Sequence, residues 1–505
     1  MLIRAASLLA ALGLICAACR SPAAREDGAP PASKVTPIGE KARPVEAAAA
    51  LYPRALRVWV HAKPSRAADK LGYLRLGSRV ATKGPSAGTS DCAGGWYPIE
   101  PQGFVCVGPS ATLDASDPVV RAALGLEPDT SRRLPYIYGT VRRPGPIFGR
   151  LPSAEELANA EPDLDKRMQA WLSADGEVGA SYAQHVWLGK PGEPPDPALL
   201  WRERRSDEIP EFLLNGQQLP ALSEQKATTD LVVARMKARV GFSLLKTFVS
   251  QGRRYGLTTD FKLVPTDRLR PIQGSDFRGV EIGKGIDFPF AFVRKEGAKF
   301  LEYSQGKLVE AGDAPYRAAL KLTGKQQFFR GRLHYEIADG KYISDLDASR
   351  LDPARRMPAW GKNGERWLDV NITKQTLVAY EGERPVYATL ISSGEAGLED
   401  HAASTATKRG IFRIHTKHLS ATMDSDEVGE EFELRDVPYV QYFEEGYALH
   451  GAYWHDRFGT PKSHGCLNLA PEDARWVFAF TEPKVPAGWH SILLPLKGTV
   501  LFVHP

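Results

Sequence analysis

The clearest pattern along the chain is an alternation of apolar and polar positions near its C-terminal end. Trp367-Leu368-Asp369-Val370-Asn371-Ile372 puts Leu368, Val370 and Ile372 on one face of an extended segment, as a half-buried strand requires. Thr376-Leu377-Val378-Ala379-Tyr380 follows, and a Glu381-Gly382-Glu383 turn leads into Val386–Ile391, so the three segments predict a β-meander. Further on, Ala474, Val477 and Phe478 have helical spacing and predict a helix over Pro471–Phe480, with Asn468 or Ala470 near its start. Shorter alternations, Arg57-Val58-Trp59-Val60 and Gly103-Phe104-Val105-Cys106-Val107, are separated by turn residues. They predict a small module of short strands from Leu51 to about Ser110.

The stretch from Ala111 to Pro358 is less regular. Leu151–Ala170 predicts a helix, with Ser153 as N-cap and Glu156 three residues on, a capping-box pattern. Pro-rich loops follow near Lys190–Pro197. Two later segments are alike: Asp260-Phe261-Lys262-Leu263-Val264 within Tyr255–Leu269, and Asp339-Gly340-Lys341-Tyr342-Ile343 within Tyr335–Leu346. Each reads as a tight turn feeding a strand, closed by a Leu-x-Pro exit at Leu269–Pro271 and Leu351–Pro353. They are either related β-modules or a chance match. No catalytic constellation stands out in this stretch.

With 505 residues the chain suggests about three domains. Its 43% hydrophobic and 25% charged residues are ordinary for a globular protein, and the net charge of +5 is spread along the sequence. No dense basic stripe supports nucleic-acid binding. At the N-terminus a short charged start, Met1–Arg4, precedes an apolar run, Ala5–Ile15, too short to span a bilayer permanently. Cys16-Ala17-Ala18-Cys19 then resembles a bacterial lipoprotein signal, in which Cys19 becomes the lipidated first residue; Cys16 stands where a leucine-like residue is usual. Ordinary signal-peptidase cleavage is the alternative, and both readings imply export to the periplasm, the first with attachment to a membrane through the lipid alone. Residues 20–50, rich in Ala, Pro and charge, read as a disordered tether.

Export sorts the five cysteines. Cys16 and Cys19 belong to the leader. Cys92 and Cys106 lie close together in one small β-rich segment of a protein bound for an oxidising compartment, so a disulfide is expected. Cys466 remains, either a partner for another chain or a reactive thiol.

Its surroundings favour the thiol. His450-Gly451 lies twelve residues before Ser463-His464-Gly465-Cys466-Leu467-Asn468, counted between His450 and Ser463. A nearby histidine can take the proton that keeps a thiol a poor nucleophile. Gly465 lets the backbone turn tightly, and N–H groups of Gly465 and Cys466 could face an oxyanion. This segment resembles the signature of the L,D-transpeptidase catalytic domain: His-Gly, a gap, Ser/Thr-His-Gly-Cys, a hydrophobic residue and Asn or Arg. Thr407-Lys408-Arg409-Gly410-Ile411-Phe412-Arg413-Ile414 resembles the family's Thr-x-x-Gly-x-Phe strand, Val437-Pro438-Tyr439 through Leu449-His450 its strand pair before the histidine, and Gly498-Thr499-Val500 its closing strand. The resemblance covers Trp367–His504. It implies that Cys466 is the nucleophile and His450 the general base, oriented by a backbone carbonyl. Ser463, His464, Gly465, Asn468 and Gly451 would shape the nucleophile loop and pocket. The acidic segment between Ile414 and Val437 sits where the family has a lid; Tyr439 and Tyr442 are candidate pocket walls, with core packing the alternative for at least one. The implied substrate is the stem peptide of peptidoglycan, with no cofactor and no metal; protein partners are left open.

The region 51–110 resembles a bacterial Src-homology-3-like domain through Pro64-Ser65, Leu76-Gly77, Gly95-Trp96 and the closing Gly103-x-Val105. That resemblance implies a small β-barrel that either binds cell-wall peptides or serves as a spacer. The expected organisation is a leader (1–19), a tether (20–50), the Src-homology-3-like domain (51–110), a middle region with β-rich modules (111–358) and the catalytic domain (359–505). The fold expected is mainly β with some α, multidomain, with a sandwich-like C-terminal domain. An inert core cysteine, or zinc held by His450, His455, His464 and Cys466, are the alternatives for the site, though the spacing fits no common zinc motif. His455 and Asp456 read as solvated loop residues, and His401, His415 and His418 as surface. Alternatives in function are a hydrolase using the same two residues with water as acceptor, and a non-catalytic envelope-binding lipoprotein.

Overall fold

The sheets of the protein follow from its alternating segments, and the joins between them follow from a few small or aromatic residues. The computed structural model describes residues 49–505 except 168, 170–207, 227, 355, 426–431 and 496. The leader with Cys16 and Cys19, the tether up to residue 48 and the loops at 190–197 lie outside the described residues. The described chain is mostly β and built from several modules.

In the first module Ala50–Pro53 pairs with Val80–Ala81 and with Ala111–Thr112. Val58–His61 pairs with Lys70–Leu74 and, at His61, with Phe104–Cys106, which pairs with Trp96–Pro98. The expected small barrel is not closed on itself. Lys70–Leu74 instead runs on into the C-terminal domain, pairing at Gly72 and Tyr73 with Ile492 and Ser491. Gly72 permits this join, because a Cβ there would lie 2.1 Å from the Ser491 carbonyl oxygen. Trp489 completes the module's core among Leu51, Val58, Val60, Leu74, Ile99 and Val105, and its indole N–H donates to the Glu100 carbonyl at 3.1 Å. Cys92 and Cys106 are disulfide-bonded.

The helix expected over Leu151–Ala170 is shorter, Ala154–Ala160, with Ser153 and Glu156 forming the capping box. Pro162 ends it: a proline disfavours helical geometry in the residue before it, and Glu161 sits at φ −140°, ψ 72°. A second helical turn covers 164–167. Both Asp-turn segments are hairpins. Arg253–Thr258 returns as Leu263–Pro265 through Phe261 at φ 55°, and Arg332–Ile337 returns as Tyr342–Ser344 through Gly340 at φ 86°. They belong to different sheets, the second to a seven-stranded sheet between Phe290 and Leu351.

The C-terminal domain carries ten strands: β1 (Arg366–Asn371), β2 (Thr376–Glu381), β3 (Arg384–Ser392), β4 (Gly410–Arg413), β5 (Thr416–Ser425), β6 (Phe432–Glu444), β7 (Tyr447–Gly451), β8 (Leu467–Leu469), β9 (Ser491–Leu493) and β10 (Val500–His504). The meander is β1–β2–β3, and its sheet is extended by β10, parallel to β1 and antiparallel to β4. A second ladder runs β9–β5–β6–β7–β8 and meets the first where the end of β3 pairs with β8. Leu368, Val370, Leu377, Ile391, Leu449, Leu467 and Leu501 fill the space between, with Ala474 and Val477 of the Pro471–Phe480 helix. Burying each such Val or Leu stabilises the fold by about 1.5–3 kcal/mol. Middle-region strands dock on this frame: Val240-Gly241 lies parallel to β6 at Glu433-Leu434, and Val280-Glu281 pairs with β3.

Candidate active site

The parallel pair β7–β8 sets the site. Its register aligns Leu449 with Leu467, His450 with Asn468 and Gly451 with Leu469. Cys466 immediately precedes β8, and its half-buried thiol lies against the backbone of Ala448 and donates weakly to the Gly446 carbonyl at 3.8 Å. Burial pushes the thiol above its ordinary pKa. His450 is 2% exposed, and burial lowers its pKa to about 4, so its ring is neutral at pH 7. Its Nδ1 faces the Gly451 carbonyl at 3.5 Å, which favours the tautomer with the proton on Nδ1 and a basic Nε2. Among the described hydrogen bonds none joins the Cys466 sulfur to the His450 ring.

The loop before Cys466 is held from both sides. Ser463 Oγ donates to the Cys466 carbonyl at 2.5 Å and accepts the Gly465 N–H at 3.1 Å. The Gly465 N–H is therefore engaged by Ser463 rather than aimed at an oxyanion. Gly465 has φ 123°, and a Cβ there would lie 2.8 Å from Tyr447 Cε1, so both conformation and space require glycine. Lys462 and Ser463 N–H groups donate to the Ser393 carbonyl, and Thr407, from the Thr-x-x-Gly strand motif, accepts the N–H of Gly394 at 2.9 Å. Gly451 is closely packed, a Cβ there meeting Pro438 Cγ at 3.0 Å and Ala474 Cβ at 3.2 Å. His464 is exposed, and its ring lies tilted against Phe432, the first residue of β6, where β6 pairs with the end of β5. The segment between Ile414 and Val437, expected to be a lid, contributes β5 and the first part of β6, and residues 426–431 lie outside the described residues.

Three readings of individual residues change. Tyr439 is not a pocket wall: at φ 58° and 1% exposure it packs on Phe478 and donates its hydroxyl to the Arg132 carbonyl. Tyr442 is half-buried within electrostatic reach of the Cys466 thiol. His455 is not a solvated loop residue. Asn468 Nδ2 donates to its Nε2 at 2.9 Å, its ring lies against Phe458, and burial lowers its pKa to about 4. Asp456 is exposed and paired with Arg317. His418 is half-buried between Tyr73 and Tyr442 rather than on the surface. Tyr447, which no motif singled out, contacts the nucleophile loop and senses the Cys466 charge. Its signal was present only as an aromatic residue on the strand that ends in His450.

A lone thiol and a buried imidazole beside adjoining parallel strands, within a sandwich backed by one helix, have a counterpart among known families. Residues 365–490 match the model of the YkuD family, the L,D-transpeptidase catalytic domain. A protein of Bacillus subtilis (strain 168) named "Putative L,D-transpeptidase YciB" is 29% identical over 138 residues, which cover 22% of this chain and 59% of that protein. The chain thus spans about three-fifths of that relative's length. Similar solved structures include the catalytic domain of an E. faecium L,D-transpeptidase, with 22% identity over 28% of this chain and 98% of that one (TM-score 0.21). An L,D-transpeptidase from Mycobacterium smegmatis has 16% identity over 47% of this chain and 89% of its own (TM-score 0.23).

Proposed function

We propose that the C-terminal domain is a cysteine acyltransferase acting as an L,D-transpeptidase on peptidoglycan stem peptides. The observation that carries this reading is a neutral His450 on β7 and a lone Cys466 at the head of the adjoining strand β8, in a domain matching that family. In the first half-reaction His450 Nε2 takes the thiol proton while sulfur attacks the carbonyl of an L-centred residue. With the Gly465 N–H engaged, the Cys466 N–H is the motif's remaining backbone donor for the oxyanion. The C–N bond then breaks, His450 returns the proton to the departing amine, and a D-amino acid leaves. In the second half-reaction an amine of a neighbouring stem attacks the thioester, giving its proton to His450 as the C–S bond breaks; the sulfur recovers the proton and a crosslink remains. The leader and the disulfide support export to the periplasm, with Cys19 as the anchor.

Incubating the protein with tetrapeptide muropeptides and weighing the products tests this. Crosslinked dimers are expected. Shortened monomers would make water the acceptor and the protein a hydrolase. Cys466→Ala abolishes acyl-enzyme and His450→Ala suppresses it strongly; undiminished turnover in Cys466→Ala would sink the mechanism.

A further inference from the structure

Between the first module and the β5–β6 hairpin lies a cavity of about 460 Å³. It is walled largely by residues outside the matched catalytic domain, Arg57 and Tyr73 from the first module and Glu224 from the middle region, together with His418 and Tyr442 from the hairpin. Four of these side chains form a row that runs from Arg57 to Tyr442. The Arg57 guanidinium sits 5.3 Å over the Tyr73 ring, Tyr73 lies 5.6 Å from His418, and His418 lies 5.7 Å from Tyr442, which packs against the same core cluster as Cys466.

The charges along the row are unequal in availability. Arg75, also at the wall, is tied to Asp436, and Glu224 accepts the Leu56 N–H. Arg57 is exposed, and among the described residues no carboxylate lies within salt-bridge distance of it. His418 Nδ1 is buried without a hydrogen-bond partner, although its ring lines the cavity. An unsatisfied buried nitrogen is costly unless something fills the site and pairs with it. One guanidinium-to-ring step and two ring-to-ring steps of this size span about five residues of extended chain at most, at roughly 3.4 Å each.

We propose that this cavity binds an extended acidic peptide, its backbone lying over Tyr73, His418 and Tyr442 and one of its carboxylates held by Arg57, with the far end of the peptide delivered to Cys466. The first module is then a wall of the substrate site rather than a spacer. This rests on the function proposed above only in naming the peptide, which is the peptidoglycan stem.

The test is direct binding to the full chain carrying Cys466→Ala, so that nothing reacts, using a stem tetrapeptide with its glutamyl carboxylate free or amidated. The free form is expected to bind, and adding Arg57→Gln weakens it about tenfold or more. The amidated form binds both proteins with the same reduced affinity. His418→Ala reduces binding of both forms alike. Equal affinity for the free peptide with and without Arg57, or a loss that persists undiminished on the amidated peptide, overturns the proposal, as does absence of binding. Each proposal can fail alone. Arg57-dependent binding without acylation of Cys466 in the unmodified protein would leave the site standing and remove the transpeptidase reading. Turnover indifferent to Arg57 would do the reverse.

Discussion

Replacing Asp436 with Asn removes one negative charge from a point where four parts of the chain meet. Asp436 is 2% exposed, on β6, in a left-handed conformation at φ 49°. One carboxylate oxygen takes Arg75 of the first module and Ser420 Oγ of β5 (3.0 Å); the other takes the hydroxyls of Ser243 (2.5 Å) and Thr259 (2.6 Å) from the middle region. Burial pushes this carboxyl up, and Arg75 with the hydroxyl donors overrides it, holding the group below the ordinary carboxylate range. The substitution keeps the shape but leaves Arg75, 12% exposed, as an uncompensated buried cation. Breaking a buried pair from one side costs about 3–5 kcal/mol, and removing both charges together costs much less. Urea unfolding at pH 7, followed by tryptophan fluorescence and far-ultraviolet dichroism, should therefore give a large loss for Asp436→Asn. Arg75→Met alone leaves the buried carboxylate unpaired and should cost a similar amount. The double variant should lose far less than the sum of the two single losses, with a coupling of about 2 kcal/mol or more. Additive single effects, or a loss under about 1 kcal/mol for Asp436→Asn, would refute the view that this pair clamps the modules together.

Gly465→Ala should slow acylation of Cys466 by about 10–100-fold, since the new methyl displaces Tyr447 and strains the loop that aims the sulfur, as stopped-flow mass labelling can measure. A rate within twofold would mean the loop adapts. Alkylation of Cys466 by iodoacetamide should keep rising with pH through about 8.5, the ordinary thiol value, because burial holds the thiol protonated; a plateau below pH 7 would mean a preformed thiolate–imidazolium pair. Stability should fall as pH drops from about 6.5 toward 4, because His418, His450, His455 and His490 are held neutral when folded and gain protons on unfolding. Asp473, raised by burial to about 6, works the other way, since below that pH the folded form holds a proton that the unfolded chain binds only near 4. For these five groups the net uptake is about three protons, or near 4 kcal/mol per pH unit, and potentiometric titration of folded and unfolded protein measures it.

The elements that repeat on a short period were legible in the sequence. The meander of β1–β3 and the helix at Pro471–Phe480 follow from side-chain alternation and spacing, and the nucleophile loop from a glycine beside a cysteine. What was hidden depends on residues far apart in the chain. Trp489 gives no local sign that it fills the core of a module around Leu51 and Val105, and Gly72 gives none that it lets Ser491 approach. The closed barrel expected of residues 51–110 fails for that reason: one of its strands is already shared. Tyr439 and Tyr442 read as candidate pocket walls, with core packing the alternative for at least one, and Tyr439, at φ 58°, is the one that lies in the core. His455 and His418 look like loop and surface residues until Phe458, Tyr73 and Tyr442 bury them. Helix length was overestimated because Pro162 outweighed the apolar spacing on either side of it.

The position of β10 bears on the order in which the protein becomes active. Residues 500–504 lie between β1 and β4, more than a hundred positions downstream of β1 and eighty-odd downstream of β4. Until they emerge, β1 and β4 have no strand between them, and the sheet behind the nucleophile is missing an interior member. Pairing across such a separation is slow, and the open edges it leaves are sticky. The thiol is thus made before the frame that positions it, and a nascent chain passes through synthesis with its chemistry written but not yet assembled.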